Sequence, residues 1–386
     1  MRLGVTNDLP PHHQKYIKIE NISNLDNIAD VEELKTALEK INSKQSVSNK
    51  RNFRPVGDDT PVIVIQVHKS ARGLQYLILS LSQVQGIQTA LLIFSHSYYH
   101  ESINRLVRNI DFCKVMQIFY PFSLQLHPYK HPGVDPEDCK PGYPTSKNPK
   151  YCLIRDARLT EHKQHWWWKA NFIFRSLKWS KRYQSPVIFL EEDNYVTPDL
   201  LYMYQFIHRS LEYFPYVEVV SFGRTWARNP DMNLLTVESW RPPFDVGLAF
   251  NKTTWKKILE LSEKFCMYND YSWSYSLLHL FENFPRGHVD MVACMAPRVL
   301  ALKEFENTDD IFISVSKLIS NLELYPKKVQ AVHLFRPEGR VDKVTKGPPF
   351  GSGGWNDIRD QLLCLDPLMS TTTEEKRYDF ADGPRS

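Results

Sequence analysis

The chain has 386 residues, of which 42% are hydrophobic and 24% charged, a balance that excludes an intrinsically disordered protein and suits one with a large core. Its 48 Lys and Arg against 44 Asp and Glu leave a formal charge of +4 with no localised basic patch, so nucleic acid is not an expected partner. Six cysteines without a Cys-x-x-Cys pair exclude a zinc ribbon or thioredoxin-type site, and no apolar run reaches the ~20 residues of a membrane span.

In chain order, the first predicted element is an amphipathic helix from Asp30 to Ser43, where Val31, Leu34, Leu38 and Ile41 recur at three- and four-residue spacing. It reads as a stem or linker helix, with residues 1–58 as stem, 59–366 as one α/β domain and 367–386 as a polar, disordered tail. The domain opens on the β-branched run Val62 to Val67, the pattern of a strand covered on both faces. A helix from Leu74 to Leu81, a strand from Thr89 to Ser95, a helix near Glu101 to Asn109 and a strand from Val115 to Pro121 follow. Such alternation implies a mostly parallel central sheet flanked by helices.

The Pro-, Gly- and charge-rich segment from His127 to Arg155 reads as a long surface loop that a Cys139–Cys152 disulfide would tether. Beyond it the sequence predicts a helix over Gln164 to Ser176, then buried strands at Pro186 to Leu190, Val217 to Phe222, Val246 to Phe250, Met291 to Cys294 and Val329 to Phe335.

Three stretches carry chemistry. An apolar strand that ends in Glu191, Glu192 and Asp193 sets carboxylates at the carboxyl end of a strand, where α/β sheets bind ligands and where hard oxygen donors suit Mg²⁺ or Mn²⁺. The competing reading is a solvated acidic turn. Phe265 to Trp273 surrounds Asp270 with aromatic residues, a setting for a general base that activates a hydroxyl or, alternatively, for a structural cap. His165-Trp166-Trp167-Trp168-Lys169 cannot place three indoles on one helix face, so at least one is expected to line a cleft. His68 and His96 follow strands at the same sheet edge as the acids. Gly351-Ser352-Gly353-Gly354-Trp355 lacks the Lys-Ser/Thr of a P-loop and reads as a tight loop positioning Trp355. No Gly-x-Ser-x-Gly or His-Glu-x-x-His motif supports a hydrolase.

With Gln66-Val67-His68, Ile93-Phe94-Ser95-His96, Phe122-Ser123-Leu124-Gln125-Leu126 and Gly353-Gly354-Trp355-x-Asp357-Ile358-Arg359-Asp360, these stretches resemble, in collinear order from Val62 to Cys364, the N-acetylglucosaminyltransferase II family. The resemblance implies a GT-A fold and inverting transfer of GlcNAc from UDP-GlcNAc to the 2-hydroxyl of the α1,6-arm mannose of N-glycans on glycoproteins. It implies Mn²⁺ held by Asp193, a donor site shaped by Gln66, His68, Glu191 and Glu192, and Asp270 as base. Trp167, Tyr271, Trp273 and Trp355 are the implied acceptor-binding residues, and Cys139–Cys152 and Cys266–Cys364 the implied disulfides, with Cys113 and Cys294 left over. A Golgi-lumenal enzyme anchored as a type II membrane protein is also implied, its anchor lying outside this sequence.

The chain departs from the family pattern at three places. Ala301 stands where a metal-binding His is expected, Lys69-Ser70 replaces Asn-Arg, and Ser97 replaces an Asp expected near the uracil. These departures motivate a second reading, a catalytically impaired paralogue that binds a glycan or a partner. A third is a related transferase for the α1,3-arm mannose.

Overall fold

The computed structural model describes residues 30–139, 154–223, 234–305, 311–333 and 350–368. Its strands are β1 (Val47–Ser48), β2 (Val62–Val67), β3 (Leu91–His96), β4 (Lys114–Phe119), β5 (Val187–Glu191), β6 (Asn194–Val196), β7 (Val217–Ser221), β8 (Leu234–Ser239), β9 (Leu248–Phe250), β10 (Asp290–Cys294), β11 (Val299–Ala301) and β12 (Gln330–His333). Its helices are α1 (Val31–Lys44), α2 (Ala71–Ser82), α3 (Glu101–Arg108), α4 (Ala157–Asn171), α5 (Leu200–Ser210), α6 (Lys252–Glu260), α7 (Ser262–Cys266), α8 (Trp273–Phe281), α9 (Ile311–Ser320) and α10 (Ile358–Leu365).

Ten strands form one sheet in the order β1-β4-β3-β2-β5-β9-β7-β10-β8-β12. The strands β4, β3, β2 and β5 run parallel, β9 is antiparallel to both its neighbours, and β7 and β10 return to the first direction. The expected α/β architecture, a mostly parallel GT-A type sheet, is the one observed. Alternation explains it: Val62 and Val64 face one apolar layer, while Ile63, Ile65 and Val67 face the other, so each central strand is buried on both sides. The tryptophans of α4 pack into the first layer, and α2 and α5 cover the second.

Helix α1, expected as a stem or linker helix, packs against the domain. Leu34 and Leu38 are buried against Phe119 and Leu126, and the Asn42 side chain donates to the Phe119 carbonyl (2.7 Å) and accepts from its amide (2.8 Å). The strand β1 then pairs with β4, closing one edge of the sheet. The folded unit therefore includes this helix. Residues 369–386, expected as a tail, lie outside the described residues.

A two-stranded antiparallel ribbon of β6 and β11, too short for sequence periodicity to reveal, sits beside the sheet and pairs Ala301 with Asn194. Its anchor is a buried ion pair, with Arg298 Nε 2.9 Å from Asp199 Oδ2. Asp199 also accepts from the Thr197 hydroxyl and the Tyr325 amide, and Arg298 donates to the Ala296 carbonyl, so neither charge is left unsatisfied. Replacing Arg298 with Met would strand the carboxylate in the core. R298M is expected to lower stability by about 3–5 kcal/mol in a urea titration, whereas a loss below about 1 kcal/mol would contradict this anchoring role.

Candidate active site

The acidic residues at the end of β5 divide three tasks between them. Glu192 is buried, and its carboxylate accepts from the amides of His68 (2.8 Å), Lys69 (3.2 Å) and Ser70 (2.9 Å). It thereby saturates the turn between β2 and α2, while the Ser70 hydroxyl caps α2 by accepting from the Gly73 amide. Burial raises the Glu192 carboxyl, and the three amides draw it back down. Gly73 permits the close approach, since a β-carbon there would lie 3.0 Å from the Glu192 carbonyl oxygen.

Asp193 sits at the apex of the turn. Its carbonyl accepts from the Leu302 amide at 2.8 Å, which ties the turn to the residues after β11. Asn194 folds back so that its side-chain oxygen accepts from the Glu191 amide. Ala301 is therefore set beside the acid turn, where the family resemblance places a histidine, and presents only a methyl group.

These residues form one side of a cleft of about 310 Å³. Helix α4 contributes His162, Trp166 and Lys169. Asp245 and Val246 enter from the connection between β8 and β9, Tyr271, Trp273 and Ser274 from the start of α8, and Ala301 and Lys303 from the end of β11. Trp166 and Trp273 stack with ring centres 4.3 Å apart and planes 6° from parallel, a buried indole pair at the base of the cleft. His162 lies 3.9 Å from Glu191, and burial lowers its imidazole while Glu191 pulls the other way. Burial brings Lys169 down to about 7 against the pull of Glu191.

Gln66 and His68 do not line the cleft. Gln66 bonds to the His68 ring at 3.0 Å, His68 bonds to the Ser97 hydroxyl at 2.8 Å, and His68 stacks on His162. They support the cleft-lining imidazole from behind. His279 stacks on Tyr268 and His288 pairs with Asp290, both apart from the acid turn.

Three of the expected site residues lie in the interior. Asp270 is fully buried and absent from the cleft lining, its two carboxylate oxygens accepting from the amides of Ser272 (2.8 Å) and Ser352 (2.9 Å). It pins the 351–355 loop instead of facing solvent. Trp167 is a core residue that stacks on Phe265 at 4.2 Å and donates to the Cys364 carbonyl. Trp355 is also internal, donating to the Cys266 carbonyl with Lys163 Nζ 3.9 Å from its ring centre. Tyr271 and Trp273 do reach the cleft.

The 351–355 segment is the tight loop the sequence suggests. Gly354 has φ +92 and a β-carbon there would lie 2.3 Å from the Tyr271 ring, so the loop lies flat on the tyrosine that faces the cleft. A Cys266–Cys364 disulfide fixes the C-terminal helix α10 to the same region, whereas Cys152 of the other expected pair lies outside the described residues. Cys113 and Cys294 are free and buried.

A family model described as N-acetylglucosaminyltransferase II matches residues 35–364. The chain belongs to the N-acetylglucosaminyltransferase II family. It is 32% identical over 345 residues to alpha-1,6-mannosyl-glycoprotein 2-beta-N-acetylglucosaminyltransferase of Sus scrofa, covering 81% of this chain and 75% of the relative. To the enzyme of that name from Arabidopsis thaliana it is 30% identical over 335 residues, covering 81% and 76%. Among solved structures, Staphylococcus aureus TarS 1–349 aligns over 68% of this chain and 66% of its own with a TM-score of 0.32 and 9% identity. GlyE of Streptococcus pneumoniae aligns over 80% and 63% with a TM-score of 0.28 and 14% identity. Likeness at that level adds nothing to the argument, which rests on the family match. As a member of the N-acetylglucosaminyltransferase II family, the chain is a glycosyltransferase that uses a UDP-sugar donor.

Sequence reasoning missed His162, Asp245, Ser274 and Lys303 in the cleft of this family member. No motif marks them, because each reaches the cleft from a different element.

Buried imidazoles around the sheet edge give the fold a pH dependence. His96, stacked on Phe119, is pushed down to about 3, and His127 to about 4, both chiefly by burial. In the unfolded chain both take a proton near the ordinary value of about 6.5, so below that pH the unfolded state binds more protons and stability falls toward pH 4. Each imidazole contributes a slope of up to about 1.4 kcal/mol per pH unit. Urea titrations between pH 7 and 4.5 are expected to show H96F with a shallower acid slope than the wild type, and an identical slope would contradict the assignment.

Proposed function

We propose that the chain catalyses inverting transfer of GlcNAc from UDP-GlcNAc to the 2-hydroxyl of the α1,6-arm mannose of N-glycans on glycoproteins. The observation that carries this reading is the placement of Asp193 at the carboxyl end of a parallel strand, inside a cleft that also takes in Glu191, Asp245 and Lys303. The names of the relatives, which specify an α1,6-mannosyl glycoprotein and a 2-β-N-acetylglucosaminyl group, support the same reaction for this chain. The reading places it in the secretory pathway, in the Golgi lumen as a type II membrane enzyme. Among the described residues no helix is long and apolar enough to cross a membrane.

Within this reading Asp193 faces the donor diphosphate, Glu192 keeps the adjoining turn rigid, and Gln66 and His68 hold His162 in place. Tyr271 and Trp273 contact the acceptor. Lys303 brings positive charge to the cleft, which favours the two negative phosphates and their departure as UDP.

Manganese is the cofactor that the family resemblance implies. Divalent ions of this kind are commonly held by one or two carboxylates together with substrate phosphates. Here Glu192 is committed to three amides, Ala301 has no donor atom, and among the described residues no group of three His, Cys, Asp or Glu side chains converges. The described residues do not complete a metal site, and no catalytic step is assigned to the ion.

Two measurements test the reading. Linkage analysis of the product formed from UDP-GlcNAc and a mannose-terminated biantennary glycan is expected to show GlcNAc β1,2-linked to the α1,6 arm, and UDP binding without any transfer would instead support a binding module. Calorimetry is expected to show that A301H raises Mn²⁺ affinity in the presence of UDP by at least about tenfold. Unchanged affinity would place the metal-binding position elsewhere.

A further inference from the structure

Transfer to a hydroxyl needs a group that takes its proton within hydrogen-bond reach of the reacting oxygen. Asp270 does not reach the cleft, and both its oxygens are held by backbone amides. Among the described residues, the carboxylates that line the cleft are Glu191, Asp193 and Asp245. Glu191 and Asp193 belong to the turn that faces the donor. Asp245 comes from a different part of the chain and is partly exposed beside Ser274 and Trp273, on the side formed by the start of α8.

The topology explains its position. Because β9 is antiparallel to β5, the residues that precede β9 lie at the same sheet edge as the residues that end β5. Gly247, with φ +65, turns the chain out of the sheet just before β9, so Asp245 and Val246 leave the ladder and face the cleft. At Gly247 a β-carbon would lie 2.7 Å from the Val299 side chain, which reserves this conformation for glycine.

We propose that Asp245, which lines the cleft beside Ser274, is the general base that accepts the proton of the attacking acceptor hydroxyl. The inference rests on the transfer reaction proposed above. As the acceptor O–H proton passes to an Asp245 carboxylate oxygen, the acceptor oxygen bonds to the anomeric carbon of GlcNAc. The bond from that carbon to the β-phosphate oxygen breaks, and UDP leaves with the electron pair. Burial raises the Asp245 carboxyl, and the Ser274 hydroxyl and its own backbone amide lower it. From the other elements Glu191 raises it and Lys303 lowers it, while His162 and Lys169 of α4 line the same cleft. A carboxylate drawn upward in this way holds a proton more readily than a free one.

The test compares D245N, S274A and D270N with the wild type, measuring kcat against pH, UDP affinity by calorimetry and melting temperature. D245N is expected to lose about 10²–10⁴-fold in kcat while UDP affinity changes less than about threefold, and the acid limb of the wild-type pH profile is expected to vanish from its residual activity. S274A, lacking the hydroxyl that favours the carboxylate, should move that limb to higher pH. D270N should melt at lower temperature while its folded fraction keeps a kcat near that of the wild type. A D245N enzyme with wild-type kcat, or a D270N enzyme that melts normally but is inactive, overturns the assignment of the base. A wild-type protein that transfers no sugar overturns the reaction itself, so the two failures are distinguishable.

Discussion

A single buried carboxylate holds the site together. Glu192 accepts three consecutive amides at the start of α2, so the end of β5 and the beginning of α2 behave as one rigid corner. Charge-assisted bonds of this kind are roughly twice as strong as neutral ones, and their burial leaves no water to compete. Asp193 is presented to the cleft because its neighbour is fastened in this way. The Leu302 amide completes the corner from the β11 side.

A second constraint is the reversal of strand direction at β9. In a wholly parallel sheet only residues that follow strands reach the ligand-binding edge. Inserting one antiparallel strand beside β5 brings a residue that precedes a strand, Asp245, to the same edge as the acid turn. Carboxylates from separate elements thus reach one small cleft.

How much of this was legible in the sequence depended on how local the cause is. The strands β2, β3 and β5 read correctly because burial on both faces produces continuous apolar runs, and the acid turn stood out because three carboxylates end such a run. The packing of helix α1 is not legible locally, because its apolar stripe is short and its partners, Phe119 and Leu126, are distant in sequence. Strands β6 and β11 have three residues each, too few for periodicity. Asp270 among aromatic residues has the same local signature whether it faces a cleft or pins a loop; the amide of Ser352 decides, and nothing near Asp270 encodes it. Trp166 and Trp167 are adjacent and equally aromatic, yet the first stacks closely on Trp273 and the second on Phe265, a distinction set by helix rotation against the sheet. Asp245 carries no motif, and its role follows from strand direction alone.

The central claim is that the rigid acid corner and the β11 ribbon beside it hold the nucleotide sugar, and amide hydrogen exchange with and without UDP tests it most directly. UDP is expected to slow exchange across 66–70, 190–196 and 299–303 together. Unchanged exchange in these segments, with protection instead around the hollow lined by Tyr216, Phe284 and His288, would contradict the account.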